Sequence, residues 1–172
     1  LKAVAKFIKN EVSGWTADVP AAKNPAKKLA RELMGLSPVI YSGPFLWPAA
    51  YKWKISINEN AKNVAWCNQY PEFNHNEFIG WSSHPIEKLY AVVDLKSSFD
   101  NPQTKKRFEI SDRLLSGRRP AAHVIEAAGD TELKQLLWMT AFGDFVSIYL
   151  AILNGIDPTP VDLIEKLKSA LA

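Results

Sequence analysis

Apolar and polar positions follow one another along the chain in two rhythms, and the changes of rhythm mark out the elements. In the opening LKAVAKFIKNEV the apolar residues recur at helical spacing, which predicts a helix over 3–12. Asn24-Pro25 then supplies an N-cap and the proline favoured at the first helical position. The helix it opens runs to about Met34 and stops at Gly35. SPVIY at 37–41, ended by Ser42-Gly43-Pro44, is a short apolar run rich in β-formers and reads as a buried parallel strand. A long helical pattern occupies 45–63, and 64–67 reads as a second short strand. LYAVVDL at 89–95 is the clearest strand, followed by a helix over 104–115 with its charges on one side. HVIEA at 123–127 is the next strand, ended by Gly129-Asp130. Thr131 begins a long apolar helix to about Leu153, closed by Asn154-Gly155. A last helix covers 160–171, with Asp157-Pro158-Thr159 leading in.

Strands separated by helices imply an α/β fold with a parallel sheet covered on both faces. A length of 172 residues makes one domain the expectation, able to bury roughly 70% of the unfolded chain's surface. With 47% hydrophobic and 23% charged residues the chain is an ordinary globular one, not disordered, collagenous or a coiled coil. No run approaches about 18 consecutive apolar residues, so no segment is expected to enter a membrane. The single cysteine, Cys67, allows neither an intrachain disulfide nor a thiolate zinc site and points to a reducing, cytoplasmic compartment. A net charge of +3 is too even for a nucleic-acid footprint but suits a small anionic ligand such as a sugar phosphate. The chain opens on Leu1, without the unbroken apolar stretch of a signal peptide, and is read as starting inside a longer protein with a domain missing upstream.

The chemistry concentrates between Lys52 and Trp81. Lys52, Ile55, Glu59 and Lys62 fall on one side of a helix, so Glu59 has a lysine one turn after it and another about two turns before it. The plain alternative is a surface Glu–Lys pair. Downstream, PEFNHNE at 71–77 packs asparagines, an imidazole and two carboxylates between Tyr70 and Phe78, a common way to present a binding site. His75 suits general acid/base work because its unperturbed pKa lies near neutrality; the alternative is a loop histidine bonded to a backbone carbonyl. His75, Glu77 and His84 can be assembled into a metal site, although the spacing matches no strong ligand signature. Asp94 and Glu126 close apparent strands, where open parallel sheets often hold ligands, though such residues more often cap a helix. Arg118-Arg119 could hold a phosphate, yet arginines in such a loop are usually solvated. Trp47, Trp53, Trp66, Trp81 and Trp138 are expected mainly in the core. No P-loop, dinucleotide fingerprint or G-x-S-x-G elbow is present.

The run N-E-N-A-K at 58–62, followed by P-E-F-N-H-N-E-F-I-G-W at 71–81, resembles the bifunctional phosphoglucose/phosphomannose isomerase family, as does the tail G-I-D-P-T-P-V-D-L-I-E-K-L-K. The resemblance extends from about Pro38 to Leu171, and its central stretch is the most specific part. Members carry two sugar-isomerase (SIS) domains in tandem, and residues 1–172 resemble the C-terminal one. The fold so implied is a three-layer α/β/α sandwich of the flavodoxin-like kind. The resemblance places Glu59 on the isomerisation base. It places His75 on the histidine that assists ring opening from the neighbouring subunit, and Lys168 on a lysine lining the site. Asn58, Asn74 and Thr159 are the accompanying substrate-binding candidates.

The implied reaction interconverts glucose 6-phosphate, and mannose 6-phosphate in the bifunctional members, with fructose 6-phosphate through a cis-enediol. It needs acid/base groups and neither a metal nor an organic cofactor. Seven residues before Lys168, where a hydroxyl or amide side chain would be looked for near the sugar, stands Val161; Thr159 is the nearest hydroxyl. The family's phosphate-binding serine and threonine loops lie mainly in the N-terminal SIS domain. The partners expected are therefore that domain and a second copy of the chain in a homodimer, with no nucleic acid and no membrane. The competing readings are a phosphosugar-binding SIS module without catalysis and a metal hydrolase built on His75, Glu77 and His84.

Overall fold

A computed structural model describes residues 1–82 and 89–171. Four parallel strands form the sheet, in the order β2-β1-β3-β4: β1 (Ser37–Ser42), β2 (Trp66–Gln69), β3 (Tyr90–Lys96) and β4 (His123–Glu126). The helices are α1 (Lys2–Ser13), α2 (Pro25–Leu33), α3 (Trp47–Ala61), α4 (Glu77–Gly80), α5 (Pro102–Leu114), α6 (Glu132–Leu153) and α7 (Asp162–Leu171). A single 3₁₀ turn, Glu72–His75, precedes α4. The order 2-1-3-4 is that of doubly wound sheets of the flavodoxin-like kind.

Local chemistry explains the helix starts. The Asn24 side chain accepts from the Lys27 amide at 3.1 Å with Pro25 at the first helical position, as expected. Asn101 and Pro102 repeat the device for α5, with Asn101 accepting from Thr104 at 2.8 Å. Thr131 caps α6. The residues 72–80 form a 3₁₀ turn and a short helix, which sequence periodicity cannot reveal in so few residues.

Side chains alternate across the central strands and divide the core in two. Ile40, Ala91, Val93 and Leu95 meet α1, α2, α3 and α6. Val39, Tyr41 and Val92 face the other way, onto Tyr70, Phe73, Trp81, Phe108 and Leu115. Both faces are covered, the second by α5 and the 72–81 segment. Trp53, Trp81 and Trp138 are buried as expected. Trp66 is not: it lies 57% exposed, because β2 is an edge strand with one face turned outward.

Helix α6 is the most apolar of the described helices. By length and composition it could cross a membrane: among its 22 residues an 18-residue window has a mean hydropathy of 1.8. Here its apolar character serves packing against α1, α2 and α3. At Gly143 the helix comes close to α3. Trp53 donates its indole N–H to the Met139 carbonyl at 2.8 Å, and a Cβ on Gly143 would stand 2.2 Å from that indole nitrogen. Gly143→Ala should therefore force α3 from α6 and lower stability by about 1–3 kcal/mol. Urea unfolding checks this, and a parental midpoint would show that the contact can relax.

Candidate active site

The C-terminal end of α3 and the tail enclose a cavity of about 660 Å³. Asn58, Glu59, Lys62, Asn63 and Val64 line one side; Ile156, Asp157 and the 160–164 segment, Val161 included, line the other. Glu59 is exposed at its rim. The expected surface Glu–Lys pair does not form. Lys62 donates to the backbone oxygens of Glu59 and, at 3.1 Å, Pro158, while Lys52 pairs with Asp144 at 2.6 Å and bonds Ser56. Lys62 ends α3 in the left-handed region (φ 52°), and its side chain ties the tail to the helix end. Asn58 accepts from the Ala65 amide at 2.9 Å, holding the turn into β2. Thr159 lies exposed in the Asp157 turn, its amide donating to Asp157 at 2.9 Å. Lys168, one turn past the cavity's lining, pairs with Glu165 at 2.7 Å.

His75 and Asn74 lie elsewhere. Asn63 donates to the carbonyl of Leu36, the residue before β1, at 2.8 Å, so the Glu59 end of α3 sits at the strands' N-terminal edge. The His75 turn follows the opposite edge, where the Tyr70 amide donates to the Ser42 carbonyl at 2.9 Å. The span from Leu36 to Ser42 is roughly 20 Å of strand. Glu59 and His75 of one chain therefore cannot reach the same small molecule. Glu77, offered above as a metal ligand, accepts instead from the hydroxyl of Tyr41 and from Asn68 at 2.8 Å. His84 lies outside the described residues, among which no cluster of three or more metal-ligating side chains occurs.

Known proteins resemble this chain in both sequence and fold. The family described as bacterial phospho-glucose isomerase C-terminal SIS domain matches residues 22–171. A bifunctional phosphoglucose/phosphomannose isomerase of Caldicellulosiruptor bescii is 34% identical, covering all of this chain and 51% of its own length. One of Aquifex aeolicus is 32% identical over 90% of this chain and 48% of its own length. The chain thus spans about half the length of the curated relatives it matches. A solved structure of a glucose-6-phosphate isomerase like protein from Thermus thermophilus superposes with a TM-score of 0.78 at 24% identity, over 98% of this chain and 55% of that one.

The burial of two charged groups, Arg119 and Asp94, was not foreseen from the sequence. Arg119, expected to be solvated, is buried: its guanidinium lies 3.7 Å from both Asp94 and Asp112 and over the Tyr41 ring. Asp94 does not cap a helix; it lies inside β3, on the face it shares with Val92, and is buried. The signal available was its period-two spacing from Val92 on a strand covered on both faces. Burial raises the Asp94 carboxyl from its ordinary 3.8 to about 6, against the pull of Arg119. The folded chain then binds this proton more tightly than the unfolded one, so the group's contribution to stability declines as pH rises from about 4 to 6. A shift of this size is worth about 3 kcal/mol. Asp94→Asn, which cannot lose a proton, should gain on the parent by that order between pH 4 and 7 in matched urea titrations. A pH-independent difference would mean that Arg119 keeps the carboxyl ionised.

Proposed function

Because this chain belongs to the bacterial phospho-glucose isomerase C-terminal SIS domain family, we propose that it carries the proton-transfer groups of an aldose–ketose isomerase. The substrates would be glucose 6-phosphate, and mannose 6-phosphate as in the bifunctional relatives, each interconverted with fructose 6-phosphate. The observation that carries the proposal is Glu59 at the rim of the cavity between α3 and the tail, with both neighbouring lysines committed elsewhere.

His75 moves a proton between the ring oxygen and the C1 hydroxyl, opening the sugar. Glu59 takes the proton from C2, and the electrons of the C2–H bond form the C1–C2 double bond. The π electrons of the C1 carbonyl move to O1, giving a cis-enediolate whose O1 accepts the proton that the C2 hydroxyl gives up. The carboxylic acid then returns the proton to C1 while the C2 oxygen becomes the carbonyl of the ketose. A carboxylate suits this shuttle because it gains and loses a proton reversibly within a positioned site. Lys168, on the tail helix whose first turn lines the cavity, steadies the negative charge on the enediol oxygens. The Val161 side chain at the cavity wall has no donor or acceptor for the sugar, so discrimination between the C2 epimers falls to other groups.

The placement of Glu59 and His75 at opposite sheet edges supports a homodimer in which each His75 serves the other copy's Glu59. An N-terminal SIS domain of the same protein, corresponding to the other half of the relatives, holds the phosphate. A single cysteine is compatible with a cytoplasmic setting. Glu59→Gln in the protein that contains both SIS domains should lower kcat by about 10²–10⁴-fold and leave binding of a linear sugar-phosphate analogue nearly intact. Near-parental kcat would remove Glu59 as the base. Analogue binding without turnover by the parent itself would favour the non-catalytic module.

A further inference from the structure

We propose that the His75 turn is clamped from both sides, by Asn74 to α5 and by Glu77 to the sheet, which makes Arg107, Ser111 and Glu77 positioning residues for the imidazole. The inference rests on the isomerase reading above for its catalytic consequence, but not for its geometry.

A single 3₁₀ turn has poor hydrogen-bond geometry and cannot hold itself. Its order must come from side chains, and three of the residues around His75 are anchored inward. Phe73 is fully buried, 4.3 Å from the Tyr41 ring and 5.2 Å from that of Tyr70. Asn74 has both ends of its amide engaged by α5: its nitrogen donates to the Ser111 hydroxyl at 2.9 Å, and its oxygen accepts from Arg107 at 3.2 Å. Arg107 and Ser111 stand four residues apart, on one face of α5. Glu77 has both carboxylate oxygens engaged, one by the Tyr41 hydroxyl and one by Asn68 at 2.8 Å. Tyr41 is itself held by the Trp81 indole N–H at 3.0 Å. Burial and the Glu77 carboxylate push the Tyr41 phenol up, so it stays protonated and donates.

His75 stands exposed between these anchors. The apolar contacts of Phe108 and Leu115 already hold α5 on the sheet, so the bonds from Arg107 and Ser111 to a loop amide add orientation more than burial. Asn74, a substrate-binding candidate from sequence, is assigned here to the support of its neighbour. The value of such support is large, because a displacement of about 1 Å at a catalytic group can cost about 10²-fold in rate.

The test is the double variant Ser111→Ala/Arg107→Gln, with Ser111→Thr as the variant that keeps the hydroxyl. In this chain, ¹⁵N relaxation of the His75 backbone amide should show a rigid turn in the parent and in Ser111→Thr, and a mobile one in the double variant. In the protein with both SIS domains, the double variant should lose about tenfold in kcat on closed-ring substrate and stay within twofold on substrate supplied open. A merely structural role would lower the melting temperature and leave the ratio of the two rates at its parental value. Unchanged order of the turn, or an unchanged ratio, overturns the clamp. The parent assayed alongside separates the two ideas: analogue binding with no turnover of either form of the substrate by the parent sinks the isomerase reading, and the relaxation result alone then judges the clamp.

Discussion

Two neighbouring parallel strands can be joined only by a connection that runs back along the sheet, and this constraint organises the molecule. Between β1 and β2 the return path is α3, whose 15 residues span about 22 Å, close to the length of the strand it retraces. The helix that leaves the C-terminal edge beside Ser42 must end at the N-terminal edge beside Leu36, where Asn63 fastens it. Glu59 is delivered to one edge of the sheet and His75 to the other because the chain crosses the sheet once more, through β2, before reaching the turn. No side-chain adjustment can bring them together within one chain.

That crossover is held by a close contact of two helices. The indole of Trp53 occupies the space where a side chain on residue 143 would be, and Phe142 stands 6.0 Å from it by ring centroids. Trp15, Trp138 and Phe142 extend the aromatic packing, with Trp138 and Phe142 stacked at 5.1 Å. Position along α3 is thereby set by shape, and Glu59 inherits it. The tail is held more lightly, through Lys62 and the Pro158 carbonyl, which suits a segment that forms one wall of an open cavity.

The opposite face of the sheet is built differently. Beside the aromatic side chains of Tyr41, Tyr70, Phe73 and Phe108 it holds Asp94 and Arg119. A buried pair of this kind contributes little net stability, since desolvation offsets much of the attraction. Its geometry nevertheless ties the loop after α5 to the middle of β3 and fills the space beneath Tyr41. Tyr41 in turn reaches Glu77 and Trp81. The same face thus supports both α5 and the turn that presents His75.

Much of this was legible in the sequence. The apolar runs at β1 and β3, the Asn24-Pro25 start of α2 and the Thr131 start of α6 depend on interactions within a few residues, and they form where local chemistry places them. The motif residues 58–62 and 71–81 identified the family in the same way, by composition and order. What the sequence could not carry was which distant groups meet. Lys52 stands seven residues from Glu59 yet pairs with Asp144, because α6 lies against that face of α3. Asn74 looks like a free amide until α5 brings Arg107 and Ser111 to it. Arg119, polar and in a loop, reads as solvated until the sheet buries it against Asp94. The turn at 72–75 has no periodicity of its own, since contacts from β1, β2 and α5 hold it. Short-range hydrogen bonding and hydrophobic periodicity are properties of the chain, so the sequence by itself determined the elements and their order. The partners of charged and amide side chains, and the separation of Glu59 from His75, depend on how those elements pack across the sheet, and only the tertiary structure decided them.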